Sequence, residues 1–257
     1  MVDDERDAPF RLDGQRAVVT GASRGIGAAI AVGLARAGAE IVAVQRAAAC
    51  ATTQAAVETW GRKCFPVGYD LERVAGIPDL ADRIEREYGP VDVLINAAGI
   101  TRRHAPEDFP EEDWDAVLNV NLKATWLLCQ AFGKRMLAQG GGKIVNLASL
   151  LSFQGGITVP AYAASKGAVG QLTKALANDW AKRNVNVNAI APGYIATEMN
   201  APLIANETRN RQILERISAN RWGNAEDMAG AAVFLASPAA SYVNGHLLVV
   251  DGGWMGR

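Results

Sequence analysis

The chain has 257 residues, 49% of them apolar and 21% charged, which suits one large core and excludes a disordered or fibrous protein. Its 26 basic and 27 acidic residues give a net charge of -1 with no basic block, so nucleic acid is not an expected partner, and no apolar run is long enough for a membrane span. Residues 1–10 read as a flexible arm whose acidic, polar character does not suit a secretory signal, and a cytoplasmic protein is expected. Cys50, Cys64 and Cys129 lack a paired motif and are expected as reduced thiols; His104 and His246 are too few for a histidine metal cluster, so no metal site is expected.

A strand over 16–20 turns through glycines into a helix that begins near Ile26 and runs to Ala37. A second strand covers 40–45, a helix 52–60, an extended stretch 64–69, a helix 78–88 and a fourth strand 91–95. One long helix is expected over 111–139, then a strand over 143–147, a helix over 160–181, a strand over 184–190, a helix over 227–235 and a last strand over 246–250. Short apolar strands alternating with helices predict a single α/β domain spanning 1–257: a doubly wound Rossmann-type fold whose mostly parallel, seven-stranded sheet is flanked by helices. In such a fold the loops that follow strands carry the chemistry. Segment 193–218 interrupts the rhythm at that edge; it reads as a substrate lid, with a surface helical pair as the plainer alternative.

Gly21, Gly25 and Gly27, with Ser23, Arg24 and Ile26 between them, lie between the first strand and the first helix, where a pyrophosphate needs a tight turn and a helix amino end. The second strand ends in Gln45 and Arg46 instead of the acid that grips the ribose of NAD, so Arg46, helped by Arg24, is read as a receiver for a 2′-phosphate. NADP(H) is therefore favoured over NAD(H); the other reading has a solvated Arg46 and a Gln45 that donates to a plain ribose. Asp70, followed by Leu71, either accepts from adenine or caps a turn, and Asn96, Ala97 and Gly99 offer backbone access after the fourth strand.

Tyr162 and Lys166 are four residues apart on one helical face, where an ammonium would lower the proton affinity of a phenol. Ser149 ends the fifth strand and can bond a substrate oxygen, while the amide or carbonyl of Asn121 can hold a proton-relaying water. Arg102, beyond the fourth strand, is the expected carboxylate clamp, with Gln154 and Trp222 lining a small polar pocket; Arg103 reads about equally well as a surface charge.

On these residues the chain resembles the short-chain dehydrogenase/reductase family over nearly everything after the first dozen positions. The resemblance implies that Asn121, Ser149, Tyr162 and Lys166 form an active tetrad and that Lys166 also holds the nicotinamide ribose. It implies further that Pro192, Gly193, Ile195 and Thr197 form the nicotinamide-side loop and that catalysis uses no metal. A homotetramer is implied too, with one interface on helices 111–139 and 160–181 and another on the last strand. Within the family, 99–103, 149–156, 221–223, 242–245 and 251–254 are most similar to bacterial dehydrogenases of small sugar acids, which makes a sugar acid the implied substrate. Those enzymes are usually associated with NAD, from which the Gln45-Arg46 pair departs. A dinucleotide-binding regulator is the reading from a different class, and the intact tetrad argues against it.

Overall fold

The strand runs are too apolar to leave either face in water, and helices cover both. A computed structural model describes residues 9–47 and 49–257, so the expected arm lies outside the described residues except for the exposed Pro9 and Phe10. β1 (Arg16–Thr20), β2 (Glu40–Gln45), β3 (Cys64–Gly68), β4 (Val93–Asn96), β5 (Gly142–Leu147), β6 (Val185–Pro192) and β7 (Leu247–Val250) form one sheet. Their order is β3-β2-β1-β4-β5-β6-β7, and every pairing is parallel.

The helices are α1 (Gly25–Ala37), α2 (Ala51–Glu58), α3 (Ile77–Tyr88), α4 (Glu111–Leu118), α5 (Ala124–Gln139), α6 (Pro160–Trp180), α7 (Ala201–Ala205), α8 (Glu207–Arg216) and α9 (Ala229–Ala236). Successive strand residues point to opposite faces, which builds two cores from one sheet. Ala17, Val19 and Ile41 pack with Ile30 and Leu34 of α1 and Leu235 of α9. Val18, Val42 and Leu94 pack with Ile84 of α3, Phe132 of α5 and Leu176 of α6. Each such aliphatic or aromatic side chain contributes roughly 1.5–3 kcal/mol through burial. Among the described residues no helix is long and apolar enough to cross a membrane.

From β1 the chain winds outward through β2 and β3, then returns to β4 on the other side of β1. The loops after β1 and β4 therefore diverge and open a crevice at the carboxyl edge of the sheet. Two segments differ in detail from the sequence expectation. The single helix over 111–139 is divided by a π-turn at Asn119–Lys123, which widens the helix where the buried Asn121 amide meets the backbone of Ile100. Segment 193–218 contains a 3-10 turn (Glu198–Asn200) and then the pair α7 and α8. The underside of this pair is braced, because Ile213 and Ile217 are buried with Leu150 and Trp254.

Candidate functional site

The crevice begins at the turn after β1. Gly21 and Gly25 have φ of +68° and +55°, left-handed values that a side chain would oppose. At Gly27 a Cβ would stand 2.3 Å from the carbonyl oxygen of Gly21, so helix and turn close together only with glycine there. No side chain caps the start of α1 and its first turn carries no acid, which leaves its amino end suited to an anion. Ser23 is exposed in the loop, beside a half-buried Ile26. Arg24 is ion-paired with Glu198, beyond Thr197, so its charge already has a partner. Arg46 is exposed and has no carboxylate partner among the described residues. Gln45 is buried with its Nε2 donating to the Ala47 carbonyl at 3.2 Å, and its Oε1 is enclosed without a hydrogen-bond partner. Glycine turn, uncapped helix end and orphaned acceptor together fit a dinucleotide.

The far wall of the crevice is fastened by Thr20, whose Oγ1 accepts from the amides of Ala97 and Ala98 at 3.1 Å each. Asn96 works from inside: its Nδ2 donates to Asn146 Oδ1 at 2.9 Å and to Cys129 Sγ at 3.3 Å, so its side chain shapes the turn from within the core. Asp70 accepts from the Glu72 amide at 3.1 Å, which is turn capping, and Leu71 is buried in the core.

At the chemical centre, Ser149 ends the extended chain after β5 and its Oγ accepts from the Leu151 amide at 3.1 Å. That leaves its proton for Tyr162. Burial pushes the Tyr162 phenol up, while the Ser149 hydroxyl and the Arg103 guanidinium pull it back down. The expected effect of Lys166 on the phenol takes a different form here. Lys166 donates to the Leu147 carbonyl at 2.5 Å and lies 5.6 Å from the centre of the Tyr162 ring, and burial lowers its own pKa to about 8. The Asn121 amide is also committed: Oδ1 accepts from Ile100 N at 2.8 Å, and Nδ2 donates to Ile100 O at 2.9 Å and to Ser165 Oγ at 3.1 Å. The amide therefore clamps the loop after β4, and a water must use the backbone carbonyl, which Thr125 Oγ1 approaches at 2.9 Å.

A cavity of about 120 Å³ lies over this centre, lined by Ser149, Gln154, Tyr162, Pro192, Gly193 and Arg103, among others. Arg102 is not in its wall. Its Nε donates to Asp113 Oδ1 at 3.0 Å and its Nη1 to the Thr101 carbonyl at 3.2 Å, because Asp113 on α4 draws the guanidinium away from the crevice. The next residue, Arg103, lines the cavity instead. Trp222 is also set back. It stands edge-on to Tyr194, with ring centres 5.5 Å apart, and its Nε1 donates to Asn210 Oδ1 at 2.7 Å, so it supports the cavity wall from behind. Arg221 forks onto Asp227 at 2.7 and 3.0 Å and borders a separate cavity.

Comparison with known proteins agrees with this geometry. A family model described as enoyl-(acyl carrier protein) reductase matches residues 21–255. The chain belongs to the short-chain dehydrogenase/reductase family. Among its relatives, the 2-dehydro-3-deoxy-D-gluconate 5-dehydrogenase of Bacillus subtilis is 52% identical, with 96% of this chain and 97% of that protein covered. The enzyme of the same name from Escherichia coli K12 is 49% identical, covering 96% and 98%. The crystal structure of a gluconate 5-dehydrogenase from Burkholderia cenocepacia, in complex with NADP and tartrate, is 40% identical with a TM-score of 0.93, covering 97% of this chain and 98% of that one.

In this short-chain dehydrogenase/reductase the cavity is also lined by residues that the sequence reading missed. Ile195, expected at the nicotinamide, is buried and bridges in parallel to Gly223. Its neighbour Tyr194 reaches the cavity, as do Met199, Asn200, Leu203 and Arg209. Tyr194 was findable, since it follows β6 at the ligand-bearing edge. Arg209 was not, because only the fold-back of α8 brings it there. The loop at the cavity mouth is held by the Thr158 carbonyl, which accepts from the His104 amide at 3.1 Å, with Thr158 at a φ of +61°.

Proposed function

We propose that this oxidoreductase interconverts a secondary alcohol and a ketone on a small sugar acid, with 2-dehydro-3-deoxy-D-gluconate as substrate and NADP(H) favoured over NAD(H). The observation that carries the reading is that Ser149, Tyr162 and Arg103 line the same cavity, so an acid/base, a hydroxyl donor and a cation face one substrate. The glycine turn and the loop of Pro192, Gly193, Ile195 and Thr197 would hold the nicotinamide dinucleotide, which would supply or accept the hydride. Tyr162 takes the hydroxyl proton as the alcohol becomes a ketone and returns it in the reverse direction, while the Ser149 hydroxyl holds the substrate oxygen. Lys166 and a water on the Asn121 carbonyl pass that proton onward. Arg103 holds the carboxylate, and Gln154 adds a polar contact beside it.

The cofactor preference rests on Arg46, since Glu198 already engages Arg24. A homotetramer built on α4–α6 and β7 completes the reading; exposed Trp114 on α4 and Tyr242 just before β7 lie at those two faces. Sedimentation velocity tests it. Cys50, Cys64 and Cys129 are free and buried, which suits a reducing, cytoplasmic setting. The decisive experiment follows the absorbance of reduced nicotinamide with purified protein, each cofactor and a panel of sugar acids and uncharged polyols. Turnover of 2-dehydro-3-deoxy-D-gluconate above the polyols supports the proposal, and preference for a neutral substrate overturns it.

A further inference from the structure

The cavity over Tyr162 has an unusual charge balance. Two arginines, Arg103 and Arg209, are in its wall, and no Asp or Glu is. They come from separate elements: Arg103 from the loop after β4, Arg209 from the first turn of α8. Other arginines of the surrounding segments have carboxylate partners. Arg102 pairs with Asp113 at 3.0 Å, Arg211 approaches Glu215 at 3.9 Å and Arg221 forks onto Asp227 at 2.7 Å, whereas neither cavity arginine has a carboxylate partner among the described residues. Among the described residues the polar partner of the Arg209 guanidinium is neutral, Gln212 Oε1 at 2.8 Å from Nη1.

The position of Arg209 is also fixed. Asn206 caps α8, accepting from the Arg209 amide at 3.0 Å, and the next residue, Asn210, accepts from Trp222 Nε1 at 2.7 Å. On the next turn Ile213 is buried with Leu150 and Trp254. Two unneutralised cations that converge on a half-enclosed space repel each other, and an anion between them relieves that repulsion.

We propose that Arg209 is a second carboxylate-binding residue, which shares the substrate anion with Arg103 and makes α8 a determinant of selectivity for acids over neutral polyols. This rests on the sugar-acid reading above. It assigns a role to Trp222 as well, as the brace that holds Arg209 in place. Because the two arginines grip one group, their effects are coupled and the double variant loses less than the product of the single losses.

The test uses the full chain with NADP(H), and steady-state rates of wild type, Arg209→Gln, Arg209→Lys and Arg103→Gln on a sugar acid and on an uncharged polyol. Arg209→Gln is expected to lower kcat/KM on the acid by about tenfold, mainly through KM, and to lower it at least about fivefold less on the polyol. Arg209→Lys should recover part of the loss, which a structural role for the helix would not produce. Equal losses on acid and polyol, or none, overturn the proposal. Calorimetric titration of tartrate into the NADP-loaded protein separates this inference from the substrate assignment. If wild type turns over no sugar acid, the substrate reading fails, yet tartrate binding that weakens in Arg209→Gln still supports the anion site; equal binding by both proteins, or none by wild type, overturns it.

Discussion

The two ends of the crevice are built by different means. At the cofactor end, the turn after β1 works through backbone shape: Gly21 and Gly25 adopt left-handed φ, and Gly27 lets α1 press against Gly21. At the substrate end, side chains from the loops after β4, β5 and β6 and from α8 meet around one cavity. Backbone shape is imposed by residues adjacent in sequence, whereas a cavity wall is assembled from residues as far apart as Arg103 and Arg209. Neighbouring side chains also part company there, since Arg102 turns to Asp113 and Arg103 faces Tyr162.

The largest expected effect separates the chemistry from both ends. Tyr162→Phe should lower kcat by roughly 10²–10⁴-fold while leaving the dissociation constant of NADPH, measured by fluorescence titration, within about twofold. Substantial turnover by the purified variant would remove Tyr162 from the proton step.

The buried amine beneath that phenol gives the next effect. Lys166 has its pKa lowered from 10.5 to about 8 by burial, so between those values the unfolded chain binds the extra proton. Its contribution to stability is complete above about pH 10.5 and is lost as the pH falls through about 8. Thermal melts of wild type against Lys166→Met should therefore diverge in favour of wild type as the pH rises across that window, by up to about 3 kcal/mol. A difference that stays flat would mean that the amine titrates as it does in water.

A smaller effect distinguishes the adjacent arginines. Arg103→Ala should cut kcat/KM on the sugar acid by about tenfold, equivalent to about 1.4 kcal/mol, and Arg102→Ala by less than about twofold. Losing the Arg102–Asp113 pair should shift the melting temperature little, because solvent screens both charges. The reverse ranking would restore Arg102 as the carboxylate contact.

The smallest effect lies at the cofactor end, where Arg46 is exposed and solvent screens its charge. Arg46→Asp should weaken NADPH by about fivefold relative to NADH, and added salt should shrink that ratio in wild type. An unchanged ratio would move recognition of the 2′-phosphate away from β2.

The sequence by itself determined the seven strands, their alternation with helices, the glycine turn and the placing of Tyr162 and Lys166 on one helix, because each is written in local periodicity, in local φ requirements or in a four-residue helical spacing. It did not contain the π-turn at Asn121, since helical periodicity runs through 111–139 and the cause is a tertiary bond to Ile100. Nor did it say which of the two adjacent arginines lines the cavity. That choice depends on Asp113, eleven residues beyond Arg102, returning on α4 to take one guanidinium and leave the other. The placing of Arg209 at the same cavity as Arg103 belongs to the tertiary structure as well, because residues distant in sequence set the position of α8: Trp222 donates to Asn210, and Leu150 and Trp254 pack with Ile213.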